Sequence, residues 1–238
     1  MSDNPEETPP YKLVYFDIRG LAEPVRWMFC LAGIPFIDER VPLVEWNEAK
    51  KRYSEHVGQL PILYFDDQEL SQVHTVMRFV ARRLGFNGLT DMDAARADEA
   101  TDLVYDLRLC AVTYRECFTT KTPDIVRHTV FRDFKNEPSQ KKKEPMRKDL
   151  LNVHIPKYFG KFEELLNTSG GKYIAGSVLT YADLAVANFL DVATEMIGPD
   201  VLDDFPGLQE LKDLVFALPP IQQWCANRTL AQGYSSTG

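Results

Sequence analysis

The chain of 238 residues has only four cysteines, Cys30, Cys110, Cys117 and Cys225. None forms a Cys-x-x-Cys pair and no two fit a zinc-ligand spacing, which excludes the usual zinc and dithiol motifs and suits a reducing cytosol. Cys110 and Cys117 are seven apart on an expected helix, about 10 Å in rise, too far for a disulfide. Histidine is scarce as well. His56, His74, His128 and His154 are scattered, so no metal site is expected. Positive charge is in deficit: the formal net charge is −8. A nucleic-acid surface would be basic, and an anionic membrane surface would repel such a chain. No apolar run approaches the ~18 residues of a membrane span. The opening residues, Met1 to Glu7, are acidic and lack an apolar stretch, so they do not read as a secretory signal. Residues 1–10 and 231–238 read as flexible tails.

What is present is a globular composition, 45% hydrophobic, enough for one large or two modest domains. Residues 11–88 alternate between strand and helix signals. Lys12–Phe16 reads as a strand, and Glu23–Ala32 as a helix stopped by Gly33. Phe36–Val41 is a second strand and Trp46–Tyr53 a short helical segment. Ile62–Phe65 and Glu69–Leu70 are strands joined by a turn at Asp66-Asp67-Gln68. Gln72–Leu84 is a helix whose apolar spacings of three and four define one buried face. The order βαβ, then ββα, predicts a four-stranded sheet with helices on its faces.

From Asp91 the strand signal stops. Leu103, Leu107, Ala111 and Tyr114 mark one helical stripe, and Leu151, Ile155, Phe162 and Leu166 another. Thr180–Met196 is apolar nearly all round, the pattern of a central buried helix. Thr180 and Asp183 have the spacing of a capping box, with a shorter acid than usual. Phe205–Leu218 and Ile221–Asn227 complete an all-helical domain, 89–230, separated from each other by Pro219-Pro220. A polar insertion near 118–146, carrying Lys141-Lys142-Lys143, reads as a solvated loop or frayed helix end.

Three segments carry chemistry. Tyr15 ends a strand, just before a turn and a helix, and such junctions line the binding edge of open α/β sheets. Gly58-Gln59-Leu60-Pro61 opens another strand, and Ser71-Gln72-Val73 opens another helix. Together they suggest a small thiol peptide bound along a sheet edge, with Tyr15 holding its sulfur. A thiol has a pKa of about 8.5. A phenol O–H donated to a thiolate contributes roughly 1.5–3 kcal/mol, about one to two pKa units, which makes thiolate a large fraction near neutral pH.

Arg-Gly-x-Ala-Glu-Pro-x-Arg (19–26), Gly-Gln-Leu-Pro-Ile-Leu (58–63), the Leu-Ser-Gln helix opening (70–72) and Leu-Thr-Tyr-Ala-Asp (179–183), with the tyrosine-bearing first strand, resemble the cytosolic glutathione transferases. The closest class is sigma, which includes glutathione-dependent prostaglandin D synthases and the S-crystallins. The resemblance covers most of residues 11–230. It implies a thioredoxin-like N-terminal domain, an all-α C-terminal domain, a homodimer, and glutathione as co-substrate for conjugation to a hydrophobic small molecule.

Residue by residue, the resemblance makes Tyr15 the thiolate-stabilising group, with Arg19 near the thiol. Trp46 and Lys50 match positions that hold the glycine carboxylate. Gln59, Leu60 and Pro61 match the family's cis-proline segment, where an extended ligand pairs with backbone. Gln72 and Val73 match the γ-glutamyl carboxylate site at a helix N-terminus. Asp102 matches an acid that reaches the ligand's amino group across the dimer. Tyr105, Leu109, Val112 and Tyr114 fall in the region of the second-substrate pocket, where plain core packing is the alternative. One departure matters: the family usually has serine where this chain has Val73. Losing one charge-assisted hydrogen bond weakens binding by roughly 1.5–3 kcal/mol, ten- to a hundredfold. Weakened glutathione affinity is therefore expected, with a non-catalytic, S-crystallin-like homologue as the alternative.

Overall fold

The computed structural model describes residues 10–109, 133–134 and 136–228. Cys110, Val112, Tyr114, Cys117, His128 and both tails lie outside them. The described residues form two compact units, one comprising those up to Asn87 together with those from Val215, the other those within Gly88–Leu214.

The first unit is built on a four-stranded sheet of β1 (Tyr11–Phe16), β2 (Phe36–Val41), β3 (Ile62–Phe65) and β4 (Gln68–Ser71), in the order β2-β1-β3-β4. Strand β1 runs parallel to β2 and antiparallel to β3, and β3 is antiparallel to β4. The inner strand β1 buries Leu13, Val14 and Tyr15 in succession, as a strand covered on both faces must. Helix α1 (Glu23–Ala32) makes the parallel crossover from β1 to β2 and stops at Gly33, whose φ of 66° is left-handed. The β3–β4 hairpin turns on Asp66 and Asp67, with φ of 45° and 57°; two left-handed central residues match the right-handed twist of the flanking strands. Between β2 and β3 the chain forms a short helix α2 (Trp46–Ala49) flanked by tighter 3₁₀ turns. Helix α3 (Val73–Leu84) follows β4 and buries Val76, Met77, Val80 and Ala81.

The second unit contains α4 (Asp91–Leu109), α5 (Gln140–Asp149), α6 (Ile155–Thr168), α7 (Tyr181–Ile197) and most of α8 (Pro206–Phe216). In α4 the buried stripe is Ala97, Ala100, Val104 and Leu107. Leu107 of the stripe read from the sequence is thus buried, Leu103 is only half-buried, and Ala111 and Tyr114 lie outside the described residues. Of the polar insertion near 118–146, residues 118–132 and 135 lie outside the described residues; from Gln140 the chain is helical, through Pro145, in α5. Lysine, glutamate and methionine are good helix formers. Arg147 anchors the helix, donating to Ile197 O at 3.0 Å and to both Asp200 carboxylate oxygens at 2.6 Å.

The last helix, α9 (Pro219–Asn227), groups with the sheet rather than with the helices before it. This differs from a second domain reaching residue 230, and the cause is side-chain contact. Phe216 meets the Trp27 ring edge-on at 5.3 Å, and Trp224 lies 5.8 Å from Phe36. Pro219 and Pro220 occupy the first turn of α9, where a missing N–H costs nothing.

Candidate active site

Sheet register brings the three sequence segments into one row. Val14 pairs with Ile62, and Ile62 pairs with Ser71. One step further along each strand stand Tyr15, Pro61 and Gln72. The row sits at the end of β1, where the chain turns toward α1, and the Leu60–Pro61 peptide is cis.

Tyr15 is 6% exposed. Its ring packs edge-on against Phe16 at 5.3 Å, and the Arg26 guanidinium lies 5.7 Å from the ring centroid. The phenol oxygen accepts the Leu21 N–H at 3.3 Å. A phenol accepts through its oxygen and donates through its O–H, and each N–H pointed at the oxygen stabilises negative charge there. Gly20 makes this approach possible. Its φ is +51°, and a β-carbon there would stand 2.8 Å from the Tyr15 oxygen.

Around the row the other residues take distinct positions. Gln72 is exposed, with φ 73°, and its amide donates to the Gln59 side-chain oxygen at 3.4 Å. Val73, half-buried, is the first residue of α3. Trp46 packs edge-on against Phe16 at 4.9 Å and stacks with Tyr53 at 6.1 Å. Lys50 is exposed one turn after Trp46. Arg19, 3% exposed, is buried in the turn after β1. In the second unit Asp102 is exposed on α4 and Tyr105 is 36% exposed beside it. Leu109 ends that helix. Asp98, one turn before Asp102, accepts a hydrogen bond from the Tyr181 hydroxyl.

A cis-proline strand opening, a tyrosine at the end of β1 and a glutamine before α3 in one row invite comparison with proteins of known family. Residues 124–228 match the family model for the glutathione S-transferase C-terminal domain. Glutathione S-transferase 1 of Ascaris suum is 32% identical over 220 residues, 92% of this chain and 97% of its own length. The chain belongs to the glutathione S-transferase family. Glutathione S-transferase S1 of Drosophila melanogaster is 30% identical, over 93% of this chain and 80% of its own length. Among solved structures, a nematode-specific transferase of C. elegans aligns with a TM-score of 0.76 at 28% identity, covering 94% of this chain and all of that one. Prostaglandin synthase D of Nilaparvata lugens aligns with a TM-score of 0.74 at 27% identity, covering 93% of this chain and all of that one.

This glutathione transferase also carries a buried charge network that sequence reasoning passed over. Glu23 and Arg26 are fully buried. Arg26 donates to Glu23 at 3.1 Å, to Asp38 at 2.9 Å, and to the Ile18, Arg19 and Phe16 carbonyls at 2.9, 3.3 and 3.5 Å. Glu23 also accepts the Trp224 indole N–H at 3.0 Å and an Arg228 N–H at 2.8 Å. The signal was in the sequence, since Glu23 and Arg26 stand three apart on a helix whose face is otherwise apolar; Glu23's partners Trp224 and Arg228, some 200 residues away, were not legible. Nearby, Asp17, Arg40, Trp224, Asn227 and Arg228 line a cleft of about 360 Å³. Arg40 there is held charged by Asp38 and Asp17, which outweigh its burial and raise its pKa.

Proposed function

We propose that the protein conjugates the glutathione thiolate to small apolar electrophiles, with Tyr15 as the catalytic residue. The observation that carries the reading is the row formed by Tyr15, Pro61 and Gln72, one step beyond the Val14–Ile62 and Ile62–Ser71 strand pairs. A tripeptide laid along that end of the sheet meets backbone at Leu60 and the N-terminus of α3 at Gln72 and Val73. The free N–H groups and dipole of α3 favour a carboxylate there. Its cysteine then lies toward Tyr15, whose O–H stabilises the sulfur as thiolate, the nucleophilic form. The Leu21 N–H supports the same oxygen. Trp46 and Lys50 take the glycine carboxylate. Arg19 braces the loop near the thiol. Asp102 serves the ligand's amino group of the other protomer in a homodimer. The second substrate lies against the region of Tyr105 and Leu109.

The sigma-like class follows from the same resemblance. Relatives bearing the names glutathione S-transferase S1 and prostaglandin synthase D support it. Detoxification in the cytoplasm is the corresponding setting. A second reading has one specific observation behind it. Val73 has no hydroxyl at the head of α3, so a scaffold that binds glutathione weakly, without turnover, fits the same fold. Retention on immobilised glutathione, together with a chromogenic conjugation assay, separates the two. Binding with turnover supports the enzyme, and binding without turnover supports the scaffold. For the chemistry itself, Tyr15→Phe should leave glutathione binding nearly intact and lower turnover by about tenfold or more, the effect expected when a hydrogen bond to a charged group is lost. Unchanged turnover in that variant removes Tyr15 from the mechanism.

A further inference from the structure

We propose that Trp224 and Arg228, at the end of α9, are positioning residues for the Tyr15 hydroxyl, acting through Glu23 and Arg26 on the loop that holds it. The inference rests on Tyr15 being the thiolate-stabilising residue.

The connection is continuous: Glu23 and Arg26 are fully buried, and Trp224 and Arg228 are partly buried. Glu23 divides its two oxygens: one accepts Arg26 at 3.1 Å, and the other accepts Trp224 at 3.0 Å and Arg228 at 2.8 Å. Arg26 in turn donates to the carbonyls of Phe16, Ile18 and Arg19. Those three carbonyls all belong to the stretch between Tyr15 and Leu21, and Leu21 is the residue whose N–H meets the Tyr15 oxygen. Asp38 on β2 fixes Arg26 from the far side at 2.9 Å. A guanidinium with this many acceptors in fixed directions transmits position, because its planar fork of donors satisfies them only in one orientation. Removing the two donors on α9 leaves one Glu23 oxygen buried without its cation and its indole N–H. A buried carboxylate so deprived turns toward its remaining cation, and that cation is Arg26. The loop carbonyls then lose their common donor geometry, and the Leu21 N–H drifts from the phenol. Two side chains more than 200 residues from Tyr15 thereby set how well the phenol can stabilise a thiolate.

The test reads thiol ionisation, without an electrophile, by the ultraviolet absorbance of thiolate in the glutathione-bound full chain across pH. The variants are Trp224→Phe, which keeps an aromatic ring at this position while removing the indole N–H, and Trp224→Phe combined with Arg228→Met. The expected result is a rise in the bound thiol's midpoint of about half a pH unit or more in the double variant, roughly a threefold loss of thiolate at neutral pH. A smaller rise is expected in Trp224→Phe, and partial recovery when Arg228→Lys replaces Arg228→Met. The same shift should appear in the pH profile of kcat/KM. An unchanged midpoint in the folded double variant overturns the proposal; where that variant fails to fold, an unchanged midpoint in Trp224→Phe does so. Tyr15→Phe is titrated alongside. If it leaves the midpoint unmoved, the assignment of Tyr15 has failed; if it moves the midpoint while the α9 variants do not, only the present inference has.

Discussion

At the scale of single residues, Gly20 and Val73 set the terms of the site. Gly20 combines a left-handed backbone with contact to the phenol, and a β-carbon there would sit 2.8 Å from both the hydroxyl and a ring carbon of Tyr15. Gly20→Ala should therefore cost about 1–2 kcal/mol of stability for the backbone alone and displace the phenol as well. Turnover is expected to fall by about tenfold or more, which steady-state kinetics beside a thermal melt will separate from simple unfolding. Val73 acts in the other direction. Restoring a hydroxyl with Val73→Ser should tighten glutathione binding about tenfold or more, measured by calorimetry; unchanged or weaker binding counts against the alignment of α3's first turn with the carboxylate. As candidates, Tyr15, Pro61 and Gln72 could be picked out of the sequence because each sits at a punctuation point, a strand end, a proline or a helix start. Gly20's contact with the phenol was not, since it depends on the path of a loop.

At the scale of elements, two helices begin with the same four-letter device and titrate in opposite senses. Thr90 and Asp93 cap α4: Asp93 accepts the Leu89 and Thr90 N–H groups at 2.9 and 3.1 Å, and its own N–H donates to the Thr90 hydroxyl at 3.1 Å. Thr180 and Asp183 cap α7 in the same way, and Asp183 also accepts the Ile174 N–H at 2.7 Å. The hydrogen bonds from Leu89 and Thr90 lower the pKa of the Asp93 carboxyl. Burial pushes Asp183 up to about 6 despite its hydrogen bonds. The signs follow from linkage. Asp93 stabilises the fold above its unfolded pKa, and that contribution is lost as pH falls. Asp183 holds its proton more tightly folded than unfolded, so its contribution is greatest below about pH 4 and declines as pH rises toward 6, by roughly 3 kcal/mol in all. Denaturant melts between pH 3 and 7 should give opposite slopes when each wild-type minus Asp→Asn difference is plotted; parallel slopes refute the burial argument. The box on α7 was legible because an apolar helix follows it. Its twin on α4 was overlooked because acidic residues on either side mask the Thr-x-x-Asp spacing.

At the scale of the whole molecule, alternation of strand and helix signals followed by helical stripes alone was enough to read the fold, because periods of two and of three to four are local properties. The allegiance of α9 was not local. It follows from Glu23 and Phe36 both meeting Trp224 near the other end of the chain. Assembly belongs to this scale too. The homodimer proposed above predicts a sedimenting species of twice the 27.2 kDa chain, and sedimentation at the mass of a single chain refutes it. Helix α7 closes the matter of stability. Twelve of its seventeen residues, from Tyr181 to Ile197, are buried, so its central amides can reach solvent only when the surrounding helices come apart together. Deuterium uptake along α7 is thus a built-in gauge: its slowest amides report the opening free energy of the entire helical unit, against which every loop's local breathing can be ranked.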